Sequence, residues 1–97
     1  MKIPYIDLEN YELSSEEVKQ IPLDQAFKHS VLAIEKLGKI LTVAIPHEEY
    51  FDDNRIKELK TILDNDLKCN VHFVSADVEV IEDRLIKFYK ENVSQVF

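Results

Sequence analysis

Glycine is almost absent from this chain: Gly38 is the only one in 97 residues. Loops that cradle phosphate groups need several glycines, so that backbone N–H groups can approach the oxygens. A single glycine excludes the usual ATPase and dinucleotide sites, and no GxSxG turn is present to carry a hydrolase nucleophile. Cysteine is equally scarce. Cys69 has no partner for an internal disulfide, which fits a reducing compartment and an inert, partly buried thiol. No apolar run approaches the roughly 18 residues that a spanning helix needs. The first residues lack the basic-then-apolar order of a secretory signal. Cations are in the minority: 12 Lys and Arg against 19 Asp and Glu give a net charge of −7. Nucleic acid and anionic membrane surfaces both demand a basic face, so neither is expected as a partner.

What is present is a chain with 45% apolar residues, enough for one small domain over 1–97 with a modest core. Residues 3–8 (IPYIDL) read as extended, because Pro4 biases Ile3 away from the helical region. Ser14 with Glu17 three residues later matches a capping box, predicting a short helix over about 14–20 that Pro22 ends. A second short helix is expected at 23–29, burying Leu23, Ala26 and Phe27. Strands follow at 31–37 and 39–46, with Gly38 between them where a tight hairpin turn needs positive φ. Both are apolar at nearly every position, which implies cover on both faces. Residues 53–64 form a helix with Ile56, Leu59, Ile62 and Leu63 on one stripe. Residues 69–75 form a third strand, Val71 and Phe73 facing inward and Asn70 and His72 outward. Asp77 caps a last helix running to about Asn92. The expected architecture is α+β: elements in the order α-α-β-β-α-β-α, a three-stranded, mainly antiparallel sheet, and two long helices on one face. Residues 1–30 would supply an extended segment and short helices, and 31–92 the ββαβα core.

One stretch invites a functional reading. The second strand runs into His47-Glu48-Glu49-Tyr50-Phe51-Asp52-Asp53, and ligands often bind at the carboxyl ends of strands in α/β proteins. Dense carboxylates suit a hard cation, but the alternating calcium-loop pattern with its glycine is missing. Asp52 or Asp53 as the cap of the next helix explains the charge with simpler means. Tyr50 and Phe51 are left as a staple for that helix or as contacts for a partner. Glu48 and Tyr50 are therefore the candidate protein-contact residues; no catalytic, cofactor or metal residue is nominated. The spacings of His29, His47 and His72 match no zinc pattern. His29 lies near a helix end, where a cationic imidazole would suit the dipole.

The pieces also fall into a familiar order. Ile3-Pro4-Tyr5-Ile6-Asp7-Leu8 is followed by Ile21-Pro22, then by Ala26 and a basic-aromatic helix leading into Val31-Leu32. The hairpin Gly38-Lys39-Ile40-Leu41-Thr42-Val43-Ala44 comes next, with Pro46, and then a closing helix with Ile81, Leu85 and Tyr89 at four-residue steps. Over residues 3–89 this resembles the N-terminal domain of type II secretion and type IV pilus assembly ATPases (the GspE/PilB-like family). Two features depart from the family. An Asp-Pro pair usual after the alanine of the second strand is replaced by Ala44-Ile45-Pro46-His47. Members that bind cyclic di-GMP do so through Arg-Leu-Gly-type repeats N-terminal to this module, and the chain has none, so that binding does not carry over residue by residue. The resemblance implies a non-catalytic, cytoplasmic adaptor without cofactors. Its partners would be the cytoplasmic part of an inner-membrane platform protein or other domains of the ATPase, and it would lie peripheral to that membrane through them. The alternative is a nucleotide-sensing regulatory domain.

Overall fold

The computed structural model describes residues 3–46 and 53–89. A 3-10 turn at Leu8–Asn10 is followed by α1 (Ser15–Val18), α2 (Leu23–His29), β1 (Leu32–Leu37), β2 (Ile40–Pro46), α3 (Asp53–Leu67), β3 (Asn70–Ala76) and α4 (Val78–Phe88). The three strands form one sheet in the order β1-β2-β3. The α+β class and element order stand as expected. The sheet is mixed: β1 and β2 pair antiparallel, β2 and β3 parallel. A strand reached through a helical crossover returns in the same direction, and α3 is that crossover.

The hairpin closes with Leu37 opposite Ile40, so Gly38 and Lys39 form a two-residue loop. Gly38 has φ 62°, and among the described residues only Ser30 and Lys68 share that sign without being glycine. Positive φ at the first loop position alone is the type II′ pattern, whose twist matches the strands. A bulge at Ile34 then shifts the register, placing Glu35 opposite Thr42.

β2 is the central strand, and from Leu41 to Pro46 only Thr42 escapes full burial. That accounts for its apolar character on both faces. α3 packs against β3, and α4 across β2 and β1. Ile56, Leu59 and Leu63 of α3 and Ile81 and Leu85 of α4 join Leu41, Val43, Ile45 and Val71 in one core, completed by Leu8, Val18 and Ile21 from the N-terminal third. Each such side chain stabilises the fold by about 1.5–3 kcal/mol on burial. Of the residues expected to be buried in α2, Ala26 is buried, Leu23 partly so, and Phe27 is 39% exposed. Phe27 instead offers its ring edge-on to Tyr89, 6.3 Å away.

Polar side chains serve the sheet edges. Glu17 does not act as a local capping-box acid; its carboxylate accepts the backbone N–H of Lys36 on β1 at 2.7 Å. Asp64 does the same for β3, accepting from Val71 N–H at 2.8 Å. Asp77 occupies the N-cap position of α4 without a side-chain capping bond. Its carboxylate accepts from the Tyr5 hydroxyl at 3.2 Å.

Candidate functional site

Glu48 and Tyr50 lie outside the described residues, as do Asp52 and Phe51. The structure describes what flanks them: Pro46, buried at the end of β2, and Asp53, the first residue of α3. Because β2 and β3 are parallel, their carboxyl ends, Pro46 and Ala76, are register partners on one side of the sheet. Close to the carboxyl end of β3 is a cavity of about 340 Å³ lined by Glu9, Asp77, Val78, Glu79 and Val80. Three carboxylates make it unsuited to a phosphate-bearing ligand.

A smaller cleft of about 190 Å³ lies between α2 and α3, lined by His29, Arg55, Glu58, Leu59 and Ile62. Burial pushes the His29 imidazole below its ordinary pKa, and the neighbouring Lys28 charge adds to this, while Asp66 opposes it. The ring is thus biased toward the neutral form rather than toward the cation that a helix C-terminus would favour. Among the described residues, no group of three or more His, Cys, Asp and Glu is placed to hold a metal ion. The Cys69 thiol is half-buried and donates to the Leu67 carbonyl at 3.2 Å.

The third opening is a groove of about 480 Å³ along the outer edge of β3. Alternation along the strand fixes what faces it. Asn70 N–H bonds to Lys39 C=O on the β2 side, so the even-numbered residues of β3 pair inward and the odd ones present N–H and C=O outward. At one end Asp64 takes the Val71 N–H. At the other, residues 3–6 lie alongside: Ser75 N–H bonds to Pro4 C=O at 2.7 Å and Ile6 N–H to Ser75 C=O at 2.9 Å, making a parallel bridge at Tyr5. Between these ends, Val71 C=O and the N–H and C=O of Phe73 have no partner among the described residues.

The groove walls combine apolar and basic groups. Ile3, Pro4, Ile56 and Phe73 are the apolar part; Lys57, Lys60 and His72 are its only titratable lining among the described residues. Lys60 is engaged, its ammonium 2.7 Å from Asp64 and 3.1 Å from the Asn70 side-chain oxygen. Burial would raise the Asp64 pKa. The Lys60 and Val71 hydrogen bonds and nearby positive charge outweigh it and hold the carboxyl below its ordinary value. Asp64 is thus ionised at neutral pH and fixes both α3 and the start of β3. Phe73 faces as expected but is only partly buried, as a wall of this groove.

Sequence reasoning nominated the loop after β2 and missed this edge. The signals were present: an amphipathic crossover between two strands, and a proline in the extended N-terminal segment. What was missing was the strand order, which places β3 outermost.

The comparisons with known proteins agree with one another. The model of the MshEN domain matches residues 1–95. Among solved structures, the chain is similar to a structure of MshE with cdg, at 22% identity and TM-score 0.72, covering 90% of this chain and 59% of that one. It is also similar to the N-terminal domain of XpsE, at 17% identity and TM-score 0.60, covering 88% of this chain and 55% of that one. Identities this low speak for a shared fold, and the chain spans somewhat over half the length of both solved chains. No curated protein matches it. The family match runs along nearly the whole length, and so the chain belongs to the MshEN domain family, the N-terminal, non-catalytic module of type II secretion and type IV pilus assembly ATPases.

Proposed function

We propose that this domain is an adaptor: it links a secretion or pilus assembly ATPase to the cytoplasmic part of its inner-membrane platform, or to the ATPase's other domains. The MshEN match over residues 1–95 carries the reading. It is supported by a surface suited to contacts, where strand-edge groups unpaired among the described residues lie beside a partly apolar groove. We treat residues 1–97 as one unit, working in the cytoplasm and held near the membrane by its partner; no described helix is long and apolar enough to cross a membrane. Glu48 and Tyr50 remain our candidates for contact in the loop after β2. The test is direct binding of the folded domain to two purified proteins, the cytoplasmic part of a platform protein and the motor domain of the ATPase. Saturable binding to either is expected. Absence of binding to both would overturn the adaptor reading.

A second reading has one observation in its favour: the solved structure of MshE holds cdg. A cyclic dinucleotide sensor would be the regulatory counterpart of the adaptor. With Gly38 as the only glycine, the sequence contains no Arg-Leu-Gly run, and the cavity beside the carboxyl end of β3 is acidic. Titration with cyclic di-GMP separates the readings. A ligand at 100 times its dissociation constant adds about 2.7 kcal/mol of stability; an unchanged melting temperature at saturating dinucleotide rejects the sensor.

A further inference from the structure

We propose that the outer edge of β3 is a strand-addition site that takes an extended, acidic peptide segment of a partner protein. This rests on the adaptor reading and adds where the domain holds its partner and by what chemistry. Three outward main-chain groups carry the proposal: Val71 C=O, Phe73 N–H and Phe73 C=O, none of them paired among the described residues. An extended guest laid along them can satisfy all three, as peptides do on exposed sheet edges.

The opening has defined ends. The Asp64 carboxylate occupies Val71 N–H, and the Pro4 carbonyl occupies Ser75 N–H. Pro4 has no N–H, so the N-terminal segment cannot continue its own pairing to Phe73 C=O. The stretch from Val71 C=O to Phe73 C=O, unpaired among the described residues, matches about three guest residues. Beside it, Ile3, Ile56 and Phe73 offer an apolar wall for one guest side chain.

Charge selects the guest. Lys57 lines the groove without an ion-pair partner among the described residues, whereas the Lys60 charge is balanced by the Asp64 carboxylate that closes one end. The chain as a whole carries −7, but at physiological salt charges more than about 8 Å away are screened, so the local basic rim decides. A second copy of this chain fits poorly: a two-fold pairing of β3 edges would set the Lys57 rim of one copy against that of its mate. An acidic strand from another protein has no such conflict.

The test uses the isotope-labelled 97-residue chain and the acetylated, amidated pentapeptide Val-Glu-Val-Asp-Val, followed residue by residue by NMR. The expected result is a saturable shift of the Phe73 amide and at least tenfold slower exchange of its proton at saturation. Lysine in place of both peptide acids, or Lys57→Glu in the domain, should each weaken binding about tenfold, equivalent to about 1.4 kcal/mol. A peptide N-methylated at its central residue should lose binding. No response of Phe73 at millimolar peptide, or equal binding of the lysine peptide, would overturn the proposal, as would a peptide-free dimer that already protects the Phe73 amide. If the peptide fails while the platform or motor protein still binds the domain, the edge site falls and the adaptor reading stands.

Discussion

Tyr89 shows how much one hydroxyl can organise. It is 3% exposed, at the C-cap of α4, and its hydroxyl lies 2.8 Å from the Val18 carbonyl and 2.5 Å from the Ile21 carbonyl. Those two carbonyls flank the turn between α1 and α2, so one side chain ties the last helix to the N-terminal third. The hydroxyl has a single hydrogen to share between two acceptors. Tyr89→Phe keeps the ring and leaves both carbonyls without that donor, which should cost about 1–2 kcal/mol. Burial pushes the phenol up to about 12, against an ordinary value of 10.0. A raised folded-state value means that the folded state holds the proton more tightly. The contribution is therefore complete below pH 10 and is lost as pH rises toward and through about 12. Denaturant melts of the two proteins across this range should show the advantage of the native chain shrinking from pH 10 upward. Parallel curves would mean that the phenol does not control alkaline unfolding. The four-residue spacing of Ile81, Leu85 and Tyr89 announces that Tyr89 faces the core, but nothing local announces its partners 71 and 68 residues away. Glu17 is the converse case. Its position beside Ser14 suggests a local cap, and the fold uses it on β1.

The elements themselves were legible because their periods are short-range properties. Each described strand and helix begins within about two residues of its sequence expectation, the uncertainty inherent in terminal turns. Pairing direction is different. Alternation with period two looks the same in parallel and antiparallel strands, so β3 could be read as a strand without its sense being read. The helix between β2 and β3 was the available clue. The chain's poverty in glycine leaves a mark at this scale too. Helices commonly end on a left-handed glycine. Here α2 ends on Ser30 at φ 53° and α3 is followed by Lys68 at φ 55°. A side chain in this region carries a steric cost that glycine avoids. Lys68 is exposed. Lys68→Gly should therefore stabilise the domain by roughly 0.5–1 kcal/mol, raising the melting temperature by about 2–8 °C for a chain of this size. A lower melting temperature would show that the lysine stem contributes more than its backbone strain removes.

For the whole molecule, the question is which surfaces a small, acidic domain has left for a partner once its core is closed. The sheet edge on the β1 side has Glu17 and α1 against it, and most of the β3 edge is held by Asp64 and residues 3–6. The gap left at Phe73 among the described residues emerges only from strand order, whereas the stretch after β2 stands out in the sequence by composition alone. These two surfaces make separable predictions. Tyrosine is favoured at interfaces because it combines a large ring with a polar tip, and Glu48 adds a charge beside it. Replacing both, as Glu48→Ala with Tyr50→Ala, should weaken binding to the platform or motor protein while moving the melting temperature little. It should leave the Phe73 amide response to the acidic pentapeptide intact. Lys57→Glu should do the reverse to the peptide response. If both surfaces serve one partner without touching each other, the losses in partner binding should add within roughly 0.5 kcal/mol. Unchanged partner binding in the double variant would remove the loop from the contact surface. A large fall in melting temperature would assign Tyr50 to the domain's own core.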